Sequence, residues 1–396
     1  MDDLVYLDNA ATTFPKPEAV HQKMGSFYRN YGVNPGRTGC DLALAAEEMV
    51  RGTREKLSDL FNPSLKSRGI RKDPDRLVFT LNATGALNLI LKGTLSPGDH
   101  VVSTWMEHNS VLRPIHHLQK TGVEADFIRP DGEGYVDPDD VRKAIRPNTR
   151  LVIVNHASNV TGAVQDIEAI GRICAEKEVP FAVDTAQTAG VLPIDMETCH
   201  ISFLSFTGHK GLFGPTGTGG ICVADGARIE GTLWGGTGVK SAYPYHLEEY
   251  PYRLEAGTLN LAGIAGLRAG VEWILERGLE SIHRHEMGLL ASFQDAVRDI
   301  PGLRLCGTSR LDRRVATCSV TLEGFDPSDV GTFLDVDHGI VTRTGLQCAP
   351  LVHEHMGTSP RGTVRFSFGP FNTSEHVERA ASGLRSVAAL RKPKGA

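Results

Sequence analysis

The 396-residue chain has no run of about 18 apolar residues, which excludes a membrane-spanning helix as the expectation. Its start, Met1 to Tyr6, lacks the basic-then-apolar order of a signal peptide, so a cytoplasmic location is expected. Basic charge is not in surplus: the formal net charge is -5, leaving no basic stripe for nucleic acid. Its seven cysteines are an odd number scattered from Cys40 to Cys348, and none pairs with another at C-x-x-C spacing. That distribution fits a reducing compartment and argues against a disulfide framework. The densest histidine cluster near a cysteine, His353 and His355, has the wrong spacing to share a helical face, so no metal is expected. Internal repeats and low-complexity tracts are also missing.

What is present is an ordinary globular composition, 40% hydrophobic and 22% charged, in a chain long enough for two or three compact units. Short β-branched runs at Leu77–Thr80, Val101–Thr104, Ala125–Ile128, Leu151–Asn155, Phe181–Asp184, Phe203–Phe206 and Gly220–Val223 alternate with helical patterns such as Ala83 to Gly93 and Ile167 to Lys177. The alternation predicts an α/β fold with a mostly parallel central sheet and right-handed crossovers. From about Gly263 to Ile300 the pattern is helical, followed by a strand near Ala316–Leu322 and a terminal helix near Ser374–Leu390. A large domain over 14–262 is therefore expected, with a smaller α+β domain made of 1–13 and 263–396. The segment Asn62 to Asp75, rich in Pro, Lys, Arg and Ser, reads as an exposed connection.

Four segments carry candidate chemistry. Ser205 to Gly220 places Lys210 just after an apolar strand, in a loop too rich in glycine to be helical. The lysine precedes the glycines, which excludes a phosphate-binding P-loop and leaves either a flexible surface loop or a lysine poised for Schiff-base chemistry. Asp184 ends an apolar strand, the edge at which ligands of open parallel sheets collect; it can partner a pyridine nitrogen or cap the next helix. At Phe79 to Gly85 a strand runs into a helix through small residues, so the first turn can hold a phosphate, with Thr84 adding a hydroxyl or serving as a plain N-cap. His108 follows another strand, where it could stack on a ring or be an ordinary loop histidine.

Together with Tyr6 to Thr13 and Glu255 to Thr258, these segments resemble the class V aminotransferase group of fold type I pyridoxal-phosphate (PLP) enzymes, in the family's order from about Tyr6 to Leu384. The likeness is greatest to the group II, SufS-type cysteine desulfurases and selenocysteine lyases. The resemblance implies PLP as cofactor, Lys210 as the Schiff-base lysine, Asp184 as the pyridinium partner and His108 as the stacking residue. It places Gln187 and Asn159 near the ring hydroxyl and Ala83, Thr84, Thr207 and His209 at the phosphate. It also implies a homodimer in which Thr258 reaches across to the second subunit.

The same resemblance marks Val341 to Pro350 as a cysteine-bearing loop, with Cys348 as the nucleophile that takes up sulfur from L-cysteine as a persulfide for an acceptor protein. Arg343 and Arg365 match positions that handle the substrate carboxylate, a task suited to the guanidinium fork. Related loops carry histidines just before the cysteine, whereas here Leu346 and Gln347 stand there, so no local base is adjacent. Because only the thiolate attacks, help must come from elsewhere, with His108, Arg343 and His353 as candidates. A selenocysteine lyase, an amino transfer without sulfur chemistry and a non-catalytic scaffold are the competing readings.

Overall fold

The computed structural model describes residues 4–35, 40–70 and 72–391; Met1–Asp3 of the acidic start and 392–396 of the expected small domain lie outside that description. A two-residue strand, β1 (Val5–Tyr6), precedes the seven strands of the main sheet. These are β2 (Leu77–Thr80), β3 (His100–Thr104), β4 (Glu124–Ile128), β5 (Thr149–Asn155), β6 (Phe181–Asp184), β7 (Phe203–Thr207) and β8 (Gly219–Val223). Their spatial order is β2-β8-β7-β6-β5-β3-β4. Strands β4, β3, β5, β6 and β7 run parallel, and β8 pairs antiparallel with both neighbours, giving a mixed α/β fold with a mostly parallel sheet.

Period-two geometry explains why such short, uniformly apolar runs make strands. In β3, Val102 enters one core while Val101 enters the other; in β5, Val152 and Val154 face opposite to Leu151 and Ile153. Both faces are buried, so no polar alternation was to be expected. The edge strand β4 is only half-buried and accordingly carries Glu124 and Asp126.

The C-terminal part builds a second sheet of β9 (Leu303–Cys306), β10 (Thr317–Leu322), β12 (Arg343–Gly345) and β13 (Thr363–Ser367), in the order β12-β13-β10-β9, while β11 (Ile340–Val341) pairs with β1. Its core is separate: Val320, Phe366 and Phe293 pack with Val5, Leu7 and Leu384. The helical stretch expected from Gly263 to Ile300 is two helices, Leu261–Arg277 and Leu279–Val297, because Gly278 between them adopts φ 81° and ends the first. Residues Leu261, Ile264, Leu267 and Val271 of the first helix join the main core. The segment Asn62 to Asp75 is more structured than expected: its described part contains the helix Pro63–Ser67, with Leu65 buried, because Asp195 accepts from the Ser64 amide at 2.7 Å and ties the segment down. Among the described residues no helix is long and apolar enough to cross a membrane.

Candidate active site

The parallel strands deliver polar residues from their carboxyl ends into one cavity of about 420 Å³ between the main sheet and the C-terminal sheet. Asp184 closes β6, Asn155 and Asn159 come with the end of β5, His108 follows β3, Thr207 closes β7, and His209 and Lys210 follow it. Ala83, Thr84, Gln187, Arg343, Cys348 and Arg365 line the same space. Thr258 does not: it is exposed, in a separate hollow shared with Arg54 and Glu255. Glu255 is nonetheless tied down, accepting from Arg54 Nη1 at 2.9 Å and Nη2 at 2.7 Å.

At one end of the cavity the Ala83–Thr94 helix begins. Its N-cap is Asn82, not Thr84: the Asn82 carboxamide oxygen accepts from the Gly85 amide at 3.0 Å, leaving Thr84 in the first turn. A side chain at Gly219 would put its Cβ 2.6 Å from Asn82 Cα, so glycine in β8 is what lets the cap approach. Thr207 Oγ1 and His209 Nδ1 line the cavity as buried atoms without a hydrogen-bond partner. Burial, with Lys210 and Lys16 nearby, pushes the His209 pKa down to about 4, so its imidazole is neutral at pH 7. A helix N-terminus with unused donors beside it suits a phosphate.

Asp184 is buried, with Oδ1 accepting from the Ala186 amide at 2.9 Å and from Ser205 Oγ at 3.4 Å. Burial raises its pKa, and a cationic N–H brought against it would oppose that rise. His108 caps the Asn109–Gln119 helix through Nδ1, which accepts from the Ser110 amide at 3.0 Å; the ring proton therefore sits on Nε2. Burial and the neighbouring Lys210 and Arg365 lower its pKa to about 4, so it is an uncharged aromatic plate.

Lys210 sits in the turn after β7, and the N-terminal segment fixes that turn. Thr12 Oγ1 and the Thr13 amide donate to the His209 carbonyl at 3.0 and 3.1 Å, and Thr13 Oγ1 donates to the Lys210 carbonyl at 2.8 Å. Burial, reinforced by Arg365, pushes the Lys210 pKa from 10.5 down to about 8. Roughly a tenth of its amine is therefore free at pH 7, far more than for an ordinary lysine.

The two arginines meet on a residue that had no assigned role. Asp8 Oδ1 accepts from Arg365 Nη2 at 2.6 Å, and Oδ2 accepts from Arg343 Nε at 3.1 Å and lies 2.9 Å from Arg343 Nη2. Arg365 Nη1 donates to the Asn159 carbonyl at 3.0 Å, while its Nε is buried without a partner. Asp8 and Arg365 are both buried, whereas the Arg343 side chain is 53% exposed. Arg365→Leu is therefore expected to cost about 3 kcal/mol in urea unfolding, because it removes the buried partner of a buried carboxylate and leaves only the half-exposed Arg343, and Arg343→Leu less than about 1 kcal/mol. Equal costs for both would contradict this division of the pair.

Cys348 is exposed at the cavity wall, and its carbonyl accepts from the Asn109 amide at 2.7 Å. Besides Asp8, sequence reasoning passed over Asn82 and Ser110. Asn82 is the N-cap of its helix and Ser110 lies in the first turn of the helix that His108 caps; polar clusters after strands mark such helix starts without saying what they face.

The residues present fit pyridoxal phosphate. The Ala83–Thr94 helix start with Thr207 and His209 offers donors for a phosphate, Asp184 a carboxylate for a ring nitrogen, His108 a flat neutral face and Lys210 a partly unprotonated amine. Asn155 Oδ1 and Asn159 Oδ1 are further buried polar atoms on this wall that lack partners.

Known proteins resemble this chain over most of its length. A model of the family described as aminotransferase class-V matches residues 5–380. A probable cysteine desulfurase of Methanothermobacter thermautotrophicus is 35% identical over 98% of this chain and 96% of its own length. One from Pyrococcus abyssi is 33% identical, covering 95% of this chain and 92% of its own. The apo structure of a cysteine desulfurase from Thermococcus onnurineus superposes with a TM-score of 0.91 at 33% identity, over 98% of this chain and 96% of that one.

Proposed function

The chain belongs to the class-V aminotransferase family, and from that membership we propose that it is a cysteine desulfurase, converting L-cysteine to L-alanine and leaving the sulfur as a persulfide on Cys348. The observation that carries the reading is that Cys348 lines the same cavity as Lys210, Arg343 and Arg365. An amino transfer has no use for that thiol.

Pyridoxal phosphate, on which this family depends, supplies when bound an electron sink for bond-breaking at the substrate's α- and β-carbons. Lys210 would hold it covalently, and the neutral amine of Lys210 would take the substrate's α-proton as general base. Asp184 would keep a ring nitrogen protonated, and His108 would provide a stacking face. Gln187 and Asn159 would serve the ring hydroxyl, and Ala83, Thr84, Thr207 and His209 the phosphate. Arg365, with Arg343 beside it, orients the substrate carboxylate. The Cys348 thiolate then attacks the substrate sulfur: an S–S bond forms as the carbon–sulfur bond breaks, and the released electron pair is protonated at the β-carbon as alanine forms.

The wider reading is a cytoplasmic homodimer that hands its sulfur to an acceptor protein. Leu81, Leu233, Trp234 and Tyr245 are exposed large apolar side chains, available for burial against a second copy of the chain. Thr258, outside its own cavity, is then the residue contributed to the partner's cofactor. The division into a large domain over 14–262 and a small one of 1–13 with 263–396 is kept as a proposal with one change: the Leu261–Arg277 helix goes with the large domain, whose core it shares.

Purified protein supplied with cysteine and dithiothreitol is expected to release alanine and sulfide in equal amounts. Amino transfer to a keto acid without sulfide would overturn the proposal, and a rate confined to selenocysteine would reassign the substrate.

A further inference from the structure

Gln347 and Cys348 stand side by side in the left-handed region, with φ 42° and 58°. Residues with a Cβ avoid that region, and two in succession persist only where the surroundings over-determine them. The restraints converge on Gln347. Its carbonyl accepts from Asn159 Nδ2 at 2.8 Å, and its Nε2 donates to the Thr363 carbonyl at 3.0 Å. A carbonyl only accepts, so the carboxamide can point only one way, with Oε1 turned to His353 Nε2 at 2.9 Å. Nε2 of His353 therefore carries the ring hydrogen, and Nδ1 accepts from Thr358 Oγ1 at 2.8 Å.

Both ring nitrogens are thus committed, and His353 is fully buried. It has no lone pair to offer the thiol and drops out as the base for Cys348. Burial pushes its pKa down to about 4, so the arrangement keeps the same hydrogens throughout the neutral range.

We propose that His353 and Gln347 form a clamp that aims the Cys348 thiol, acting as positioning residues for the sulfur-transfer step. The Pro350–His355 helix carries His353 back under the loop, and β13 supplies Thr363, so the clamp ties the nucleophile to two rigid elements. The proposal rests on Cys348 being the nucleophile of a desulfurase.

The test compares the holoenzyme with three variants. His353→Leu removes the donor, Gln347→Met keeps the length without the hydrogen bonds, and His353→Gln places an amide N–H near the lost Nε2. Sulfide release should fall about tenfold or more in kcat for the first two, with KM changed by less than about threefold and cofactor absorbance unchanged. His353→Gln should recover most of the loss. In parallel, hydrogen exchange at Ala349, whose amide bonds the Leu346 carbonyl at 2.9 Å, should quicken about tenfold in His353→Leu. Wild-type kcat in His353→Leu, cofactor lost in step with activity, or a His353→Gln variant no better than the leucine would each overturn the clamp. Unchanged exchange at Ala349 overturns it even if the wild type releases no sulfide, an outcome that would instead sink the desulfurase reading.

Discussion

Lys210→Ala protein is expected to purify without the visible absorbance that borohydride reduces, and to release no sulfide from cysteine. The reason lies in how the cavity treats that amine. A lysine at its ordinary pKa of 10.5 is about one part in a thousand unprotonated at pH 7.5; lowered to about 8, roughly a quarter is, a gain of about two hundredfold in reactive amine. Burial and Arg365 disfavour the ammonium, while Asp184 and Asp8 pull the other way and limit the shift. The sign follows: above about pH 8 the folded protein presents a neutral amine, and below it a cation. Uptake of pyridoxal phosphate by cofactor-free protein should therefore rise with pH through about 8 and then level off. A rise that continues toward pH 10 would mean that the cavity does not tune Lys210. A Lys210→Ala variant that stays coloured and reducible would move the cofactor attachment elsewhere.

Cys348→Ala is the second variant with a large expected effect, and it should part company with the first. Cys348 shares the cavity but is none of the residues assigned to holding the cofactor, so the variant should keep its full cofactor absorbance. Sulfide release should fall by roughly a hundredfold or more, corresponding to about 2.7 kcal/mol on the barrier. No other cysteine stands ready to substitute: Cys174, Cys199, Cys222, Cys306 and Cys318 are buried, and Cys40 does not line the cavity. Burial raises the pKa of Cys174 and Cys222 to about 12, which keeps them as inert thiols. Undiminished sulfide release from Cys348→Ala, measured with dithiothreitol present, would remove that residue from the chemistry.

Much of this was legible in the chain because it is local. The seven strand positions of the main sheet show in runs of β-branched residues, since strand period and burial act over a few neighbours. The carboxyl-end placement of His108, Asp184 and Lys210 follows once those strands run parallel. The break at Gly278 was legible in principle, because a lone glycine between two apolar periodicities is a helix-end signal; the longer helical pattern masked it.

The rest depended on residues that only the tertiary structure brings together. Asp8 meets Arg343 and Arg365 across separations of 335 and 357 residues, and nothing near Asp8 in the chain announces them. Likewise Arg54 finds Glu255 201 residues away, and Asn159 reaches Gln347 across 188. Which histidine could help Cys348 was open for the same reason: His353 is only five residues away, yet its ring is spoken for by Thr358 and Gln347. The amino-acid order determined the elements, the sheet and which side chains stand at its functional edge, through short-range periodicity and turn chemistry. The packing of the C-terminal sheet against that edge decided which charges neutralise one another and which donors remain free, because electrostatics and hydrogen bonding depend on distance in space and not on distance along the chain.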